Sequence, residues 1–225
     1  MQVGKLLKWF ASAMRVAAAK IRLGSKLQLP HGGKPVYLGR GTRLIVAKGG
    51  CMKLGRGVYV DDRSRLQVSA NACMSLGEGC YLNTNCRMVA AEEIAVGAHT
   101  MFGPNVCVYD HDHIFDADGV HGDLLKKPIA IGEHCWIAAN SLVTRGVAIA
   151  DRICVGGGSV VTCALEEPGV YAGSPARLVR STACEGGGVN GSVAKAQENQ
   201  ARDHSPQSAQ RVLAATNLQG QGEGA

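Results

Sequence analysis

The residues best suited to acid–base chemistry are two histidines in the motif Tyr109-Asp110-His111-Asp112-His113. A neutral imidazole can take a proton from an attacking hydroxyl near pH 7. Asp110 or Asp112 could orient that imidazole, as a third group does in many catalytic constellations. The alternative is that both histidines belong to the surface of a polar loop and have no chemical task.

The motif opens the long interval between Val108 and Ile131, which interrupts a regular apolar pattern. Loops longer than about 12–15 residues in compact domains are usually functional or disordered. This one carries the histidine motif at its start and Lys126-Lys127-Pro128 at its end. Because such patterning is unusual for a linker, we predict a catalytic loop over residues 109–130.

Outside the loop, an aliphatic residue recurs at every sixth position. The clearest run is Ile131, Ile137, Val143, Ile149, Val155 and Val161. This period fits neither a single α-helix nor a single β-strand, and it is typical of a parallel β-helix. The pattern starts at Leu38 and is broken by short insertions, which we expect to loop out at corners. We also expect the 30 glycines to serve corners that need unusual backbone angles.

The nine cysteines are interpreted as small buried side chains rather than as a disulfide set. Cys80, Cys86 and Cys135 each stand four residues after an aliphatic repeat position, where a small side chain is required. No CxxC pair occurs, so a structural zinc site has no support. A secretory signal and an apolar run of about 20 residues are also lacking, which predicts a cytoplasmic protein.

The first 60 residues contain 12 of the 24 Lys and Arg residues and no Asp or Glu. Such asymmetry indicates an anionic surface or partner. Residues 5–22 fit an amphipathic helix with an apolar stripe of Leu6, Phe10, Met14, Ala17 and Ile21. Two compatible interpretations stay open. The helix caps the open end of a solenoid, or it contacts the inner membrane face as a peripheral anchor.

Three stretches resemble the hexapeptide-repeat acyltransferases, and among them the sugar O-acetyltransferase branch. They are FGPNVCVYDHDH (102–113), KPIAIGEHCWIAANSLVTRGVAIADRICVGGGSVVT (127–162) and PGVYAGSPARLVR (168–180). The resemblance implies an all-β fold, a left-handed parallel β-helix over residues 36–180. An amphipathic helix and linker (1–35) would precede it, and a disordered low-complexity tail (181–225) would follow.

The resemblance also implies the activity and the partners. Acetyl-CoA would donate an acetyl group to a hydroxyl of a saccharide, such as a cell-surface polysaccharide or its precursor. The enzyme would be a homotrimer that needs no metal and binds no nucleic acid. Members carry one catalytic histidine in the looped-out segment, and counting from Pro104-Asn105-Val106 favours His113 over His111.

Further site residues are implied only by matching positions. Asn83 matches an acceptor-site asparagine, although corner turns also favour Asn. Trp136 matches a tryptophan on the outer face near the active site. Ala139, Gly157 and Thr162 would line the acetyl-CoA groove. Arg177 and Arg180 match basic residues near its nucleotide end, or they form a solvated basic terminus.

This sequence departs from the family pattern at three places. WIAAN replaces WIGAN, GGGS replaces GAGS, and Cys163 stands where relatives have Lys, which puts the CoA phosphate contacts in doubt. Three other functions stay open. They are acetylation of a non-sugar small molecule, a non-catalytic scaffold, and a γ-carbonic-anhydrase-like zinc enzyme with His111 and His113 as ligands. For the zinc enzyme a third histidine is not evident, because His99 and His134 are poorly placed.

Overall fold

The computed structural model describes residues 3–182, which contain one N-terminal helix and 22 strands. Helix α1 spans Val3–Leu23 and continues into a 3₁₀ turn, Gly24–Lys26. This confirms the predicted helix and extends it slightly at each end. The low-complexity segment from residue 183 onward, which includes nearly all of the predicted tail, lies outside the described residues.

The strands are short, and most contain two to four residues. The first eleven are β1 (Leu27–Gln28), β2 (Tyr37–Leu38), β3 (Arg43–Val46), β4 (Cys51–Leu54), β5 (Tyr59–Val60), β6 (Arg65–Val68), β7 (Cys73–Leu76), β8 (Tyr81–Leu82), β9 (Arg87–Ala90), β10 (Glu93–Val96) and β11 (Met101–Phe102). The other eleven are β12 (Cys107–Tyr109), β13 (His111–Asp116), β14 (Gly119–Lys126), β15 (Ile129–Ile131), β16 (Trp136–Ile137), β17 (Leu142–Val143), β18 (Ala148–Ile149), β19 (Cys154–Val155), β20 (Val160–Val161), β21 (Gly169–Ala172) and β22 (Arg177–Ser181).

These strands wind into a three-sided parallel β-solenoid. Sheet A is ordered β1-β4-β7-β10-β15-β18, sheet B is β2-β5-β8-β11-β16-β19-β21-β22, and sheet C is β20-β17-β12-β9-β6-β3. Within these three sheets each strand pairs in parallel with the equivalent strand of the next coil, except that β22 folds back antiparallel on β21. Strands β13 and β14 form a separate antiparallel pair. The predicted parallel β-helix is therefore confirmed. We call the turn from sheet B into sheet C the B–C corner, and the turn from sheet C into sheet A the C–A corner.

The residues of the six-step pattern fill the axis of the solenoid. From Ile131 to Val161 none of the six is more than 3% exposed. Cys80, Cys86 and Cys135 are also buried, and every cysteine within residues 3–182 is a free thiol. Burial raises the pKa of the Cys86 thiol to about 12, since a thiolate in an apolar axis would lose its hydration. The interpretation as small core residues is confirmed for Cys80, Cys86 and Cys135, and it is wrong for Cys73 and Cys163, which are exposed.

The expectation that the insertions loop out at corners is wrong. Between Leu44 and Leu54 the additional residues lengthen strands β3 and β4 to four residues each. Val46 and Met52 thereby point into the axis and are buried. A coil with longer strands encloses a wider core, and the alternation of buried and exposed residues in a strand hides these extra positions from a six-residue count.

Glycine at the position after an apolar repeat residue is required by close packing of coils rather than by an unusual backbone angle. A Cβ at Gly77 would lie 2.6 Å from the backbone nitrogen of Ala98 on the next coil. Left-handed backbone angles occur instead at other corner positions, and several of these hold Asn. The expected role of corner glycines is therefore correct for some positions and wrong for Gly77.

Helix α1 packs on the first coil through its small residues, not through its predicted apolar stripe. Ser12 and Ala19 are buried, and the Ser12 hydroxyl accepts a hydrogen bond from the Leu38 amide at 2.8 Å. Arg15 and Arg22 donate to the Leu38 and Leu44 carbonyls at 2.9 and 2.8 Å. All four large members of the stripe, Leu6, Phe10, Met14 and Ile21, are exposed. The helix thus caps the solenoid with its polar side.

Candidate active site

Asp110 and His111 form a hydrogen-bonded pair at the C–A corner, directly after strand β12. The Asp110 carboxylate has no solvent exposure, and its Oδ1 lies 3.0 Å from Nδ1 of His111. The same carboxylate accepts the backbone amides of Ala91 and Glu92 at 2.7 and 2.8 Å. Those amides belong to the corner of the preceding coil. Asp110 is therefore fixed by the solenoid, and it fixes the imidazole in turn.

The predicted catalytic loop is an antiparallel hairpin that projects from the C–A corner. Strand β13 pairs with β14 from His111 opposite Lys126 to Asp116 opposite Gly119. Its base is tied to the solenoid, because the Lys127 amide donates to the Asp110 carbonyl at 2.9 Å. Arg145 on the following coil binds the carboxylate of Asp112 at 2.6 Å. These contacts place His111 at the rigid root of the hairpin.

His113 lies further along the hairpin and is exposed. Its Nδ1 is 3.4 Å from the carbonyl oxygen of His121 on the opposite strand. Asp112, the other carboxylate of the motif, is bonded to Arg145 rather than to an imidazole. Asp116 binds His121 at 2.9 Å, and this bond lowers the pKa of the Asp116 carboxyl. Of the two candidate histidines, only His111 has a buried carboxylate partner within residues 3–182.

Asn83 lies at the B–C corner, at the opposite end of sheet C from His111. Its side-chain oxygen accepts the Thr84 amide at 2.7 Å, and its carbonyl accepts the Ser64 hydroxyl at 3.1 Å. Strand β9 separates the two corners, and four residues at about 3.3 Å each span roughly 13 Å. The structure therefore does not bring Asn83 and His111 together within one chain.

Two of the predicted donor-groove residues stack at the same B–C corner on successive coils. The Gly158 amide donates to the Ala139 carbonyl at 2.8 Å. A Cβ at Gly157 would lie 3.2 Å from that carbonyl oxygen, so a side chain there would crowd the groove. Thr162 is exposed but lies at the C–A corner, after strand β20. Backbone groups and small residues at the B–C corner suit an extended pantetheine arm.

Trp136 and Arg180 occupy one column on the outer face of sheet B. Trp136 is in register with Cys154, which pairs with Val170, and Val170 with Arg180. Burial raises the pKa of the Cys154 thiol, while the positive charge of Arg180 acts in the opposite direction. Arg177 also lies on β22 and is exposed, with a bond to the Ala176 carbonyl at 2.9 Å. Both arginines are exposed on the surface.

The chain spans about half the length of the curated relatives it matches. Galactoside O-acetyltransferase of Lactococcus lactis is 35% identical over 97 residues, which is 43% of this chain and 47% of that protein. Nodulation protein L of Rhizobium meliloti is 37% identical over 95 residues, 42% of this chain and 52% of that protein. The provisionally named colanic acid biosynthesis acetyltransferase WcaF of Escherichia coli is 37% identical over 90 residues, 39% of this chain and 47% of that protein. No family model matches the sequence.

The fold has a solved counterpart in the N-acyltransferase AntD of Bacillus cereus, crystallised with dTDP and coenzyme A. The TM-score is 0.63 at 15% identity, covering 83% of this chain and 96% of that one. In sequence and in fold, this chain resembles the hexapeptide-repeat acyltransferases. The resemblance predicted from the sequence is thereby confirmed.

Sequence reasoning missed one structural feature of the B–C corner. Asn85, Asn105 and Asn140 all have left-handed backbone angles, with φ of 59°, 61° and 61°. Their side chains form a ladder, because Asn85 donates to Asn105 at 2.8 Å and Asn105 donates to Asn140 at 2.9 Å. The sequence signal for this ladder was an asparagine at the same position of three successive coils. The ladder stiffens the corner that carries Asn83 and Ala139.

Two observations on the described residues concern the zinc alternative and membrane spanning. No set of three or more His, Cys, Asp or Glu side chains within residues 3–182 is arranged to hold a metal ion. Helix α1, the one α-helix of that range, is not long and apolar enough to cross a membrane.

Proposed function

We propose that this protein transfers an acetyl group from acetyl-CoA to a hydroxyl of a saccharide acceptor. The relatives include galactoside O-acetyltransferases and proteins provisionally named for colanic acid and lipopolysaccharide biosynthesis. The observation that carries the proposal is the pairing of His111 with the buried Asp110 at the root of the hairpin. An imidazole held in this way is a general base with a defined orientation.

In this mechanism His111 acts as the base and Asp110 positions it. The carboxylate accepts a hydrogen bond from the Nδ1–H group, which leaves the lone pair of Nε2 free to receive a proton from the acceptor hydroxyl. The hydroxyl oxygen then attacks the thioester carbonyl carbon, and the C–S bond breaks as the tetrahedral intermediate collapses. The proton held on Nε2 passes to the departing thiolate. The His111 imidazole thus acts first as the general base and then as the general acid.

The contacts change the preference between the two histidines. Counting from Pro104 in the sequence favoured His113. In the structure, the His113 side chain is exposed, and its one hydrogen-bond contact within residues 3–182 is with a backbone carbonyl at 3.4 Å. His111 is largely buried and has a charged partner. We therefore propose His111 as the base and retain His113 as the alternative that mutation can separate from it.

The donor would lie along the B–C corner, on the coils that follow Asn83. The lack of a side chain at Gly157 and the small side chain of Ala139 leave room there for the pantetheine arm. Arg177 and Arg180 would receive the phosphates at the end of the solenoid, because guanidinium groups bind phosphate in a bidentate manner. Thr162, which lies at the other corner, would contribute only from another copy of the chain.

We further propose a homotrimer with its active sites between subunits. Asn83 and His111 stand at different corners of one prism, so both can serve one acceptor only if two chains contribute. The hairpin also presents an apolar tip, where Phe115 and Val120 pair across the strands at 79% and 70% exposure. Side chains of this kind gain about 1.5–3 kcal/mol each when they are covered. A neighbouring copy that places its B–C corner under this tip would cover them.

The experiment for the activity is release of free thiol from acetyl-CoA against a panel of sugars and glycan intermediates. Sedimentation of the same sample gives the oligomeric state. A saccharide that accelerates thiol release and is recovered as its acetyl ester supports the proposal. Acetylation of amines or antibiotics alone, with every saccharide inert, would favour the non-sugar alternative. A stable and active monomer would contradict the trimer.

Peripheral membrane contact is a separate proposal about location. Leu6, Phe10 and Met14 leave an exposed apolar face on α1, and Lys5 and Lys8 stand beside it. Three other basic residues, Arg15, Lys20 and Arg22, are bonded to backbone carbonyls at the end of the solenoid. Since each accessible Lys is worth about 1 kcal/mol at an anionic surface, the contact would be weak.

Co-flotation tests this contact. The protein should float with phosphatidylglycerol vesicles at low salt, but not at high salt or with phosphatidylcholine vesicles. The Leu6→Ser, Phe10→Ser variant should lose the effect. Absence from both kinds of vesicle at low salt would leave α1 as an end cap only. The predicted cytoplasmic location itself stays a prediction.

A further inference from the structure

A column of three arginines runs along the outer face of sheet C. Arg43, Arg65 and Arg87 are the first residues of β3, β6 and β9, and the strand register places them directly beside one another. All three are exposed. Neighbouring strands lie about 4.8 Å apart, so three positive charges are aligned along the axis of the solenoid. We call this column the arginine ladder.

The ladder lacks a carboxylate partner in the part of the chain that the structure describes. Elsewhere on the surface, Arg56 pairs with Glu78 and Arg145 pairs with Asp112. Within residues 3–182, no carboxylate lies within 4 Å of the ladder guanidinium groups. Among the described residues, the hydrogen-bond partner of the Arg65 guanidinium is the neutral side-chain oxygen of Gln67, at 3.0 and 2.5 Å. Like charges directly opposite on adjacent strands are destabilising, so the folded chain bears a cost that an anionic ligand would offset.

The ladder lines a surface cavity of about 400 Å³ together with Gly41, Arg63 and Ser64. Arg63 is also exposed, so four guanidinium groups surround this space. The cavity adjoins the candidate acceptor site, because the Ser64 hydroxyl donates to the Asn83 carbonyl at 3.1 Å. It therefore extends from the B–C corner toward the N-terminal end of the solenoid. The donor residues Ala139 and Gly157 lie on the other side of Asn83, on later coils.

Arg87, the last member of the ladder along the chain, begins strand β9, which lies beside the strand that leads into the histidine motif. Arg87 is in register with Cys107 on β12, the strand that ends at Tyr109. Burial and a hydrogen bond with Cys107 raise the pKa of the Tyr109 phenol, whereas the charges of Arg87 and Arg65 act in the opposite direction. The field of the ladder thus reaches the residue immediately before Asp110. The ladder and Tyr109 therefore share the outer face of sheet C.

We propose that the arginine ladder binds the acidic groups of the acceptor, so that the substrate class is an anionic glycan carrying carboxylate or phosphate groups. This inference rests on the proposed acetyl transfer to saccharides and specifies its acceptor. Arginine forks match both carboxylate and phosphate oxygens in a bidentate manner. An oligosaccharide with repeated acidic groups would lie along sheet C, with one sugar hydroxyl at the Asn83 corner. Neutral glycans of the same length would lack the contacts that hold them in this register.

Equilibrium binding to the full chain without acetyl-CoA tests the ladder. The probes are hexagalacturonate, its uncharged methyl ester and poly(glycerol phosphate), which separate carboxylate, neutral and phosphate chemistry. We expect both acidic probes to bind and the ester to bind at least about tenfold more weakly. The variant Arg43→Gln, Arg65→Gln, Arg87→Gln should lose at least about tenfold in affinity for the acidic probes. The matched variant Lys48→Gln, Lys53→Gln, Arg152→Gln removes the same charge from other exposed positions and should bind like the wild type.

Several outcomes would overturn the inference. Equal binding of acid and ester, or equal losses in the two triple variants, would show that the ladder does not recognise acidic groups. Lost affinity for coenzyme A in the ladder variant, with acidic glycan binding intact, would assign the arginines to the donor. A lower melting temperature in the ladder variant alone would make the arginines structural, whereas we expect it to be equal or higher. Thiol release with the methyl ester as acceptor tests the activity separately, because a failed ladder leaves that turnover intact.

Discussion

Replacing Asp110 by Asn should lower both the free energy of unfolding and kcat. The wild-type carboxylate accepts three hydrogen bonds, from the Ala91 amide, the Glu92 amide and Nδ1 of His111. Two of these bonds go to Oδ1, and the Glu92 amide goes to Oδ2. In the Asn variant the amide oxygen can keep two acceptor contacts, but its NH₂ group would face a donor. One polar group in a fully buried site therefore loses its partner.

The expected cost is about 1–3 kcal/mol of folding free energy, the usual penalty for a buried donor without an acceptor. For a protein of this size each kcal/mol lowers the melting temperature by roughly 2–4 °C. If His111 is the base, the same change also removes the anion that fixes its tautomer. We then expect kcat to fall by roughly 10²-fold or more, with the KM for acetyl-CoA little changed.

The assay is thermal unfolding combined with steady-state thiol release on the purified variant. Asp151→Asn is the matched control, because Asp151 accepts the Glu133 amide at 2.8 Å on another coil and has no hydrogen bond to a histidine within residues 3–182. Its remaining amide oxygen can still accept that bond, so stability and kcat should stay near wild type. Wild-type kcat in the Asp110→Asn variant would refute the positioning role. An unchanged melting temperature would refute the three hydrogen bonds assigned to the Asp110 carboxylate.

Three other predictions concern the fold and the assembly. Gly77→Ala should cost about 1–3 kcal/mol by chemical denaturation because its Cβ would meet backbone atoms of the next coil, whereas Gly122→Ala, which has open space, should be neutral; equal effects would contradict the packing argument. Phe115→Ser with Val120→Ser should shift the trimer toward monomer in sedimentation while the circular dichroism stays unchanged, and an intact trimer would exclude the hairpin tip from the interface. The Cys86 thiol has an ordinary pKa of 9.0 and a folded value of about 12, so its contribution to stability is present below pH 9 and is lost as the pH rises toward 12; Cys86→Ala should flatten that decline in denaturation curves, and an equally steep decline would contradict burial of this thiol.

The solenoid could be predicted because its periodicity is imposed by geometry at every coil. One inward residue per short strand gives the six-step pattern, and Ile131 through Val161 carry it without interruption. The four-residue strands were not predicted, since Val46 and Met52 face the axis in a two-residue alternation that a six-residue count reads as an insertion. The helix was predicted as an element, but its packing face was not. Ser12 and Ala19 bury small surfaces that carry little hydrophobic signal.

The candidate site was likewise predicted only in part. The loop and both histidines were evident from their types and their place in the pattern. The choice between His111 and His113 depends on which carboxylate the solenoid buries, and that follows from contacts between Asp110 and the amides of an earlier coil. The arginine ladder was hidden for a related reason. Arg43, Arg65 and Arg87 recur every 22 residues, and the strand register shows that this spacing is one coil, which brings them side by side.

The central claim is that a histidine of the hairpin is the base for acetyl transfer to a saccharide. The most direct test is acetyl transfer from acetyl-CoA to an acceptor found in the sugar panel, measured in parallel for wild type, His111→Ala and His113→Ala. We predict that kcat falls by roughly 10²-fold or more in His111→Ala, with acetyl-CoA binding intact, while His113→Ala keeps most of the activity. The reverse result would assign the base to His113. Full activity in both variants, or in the double variant, would contradict a histidine base.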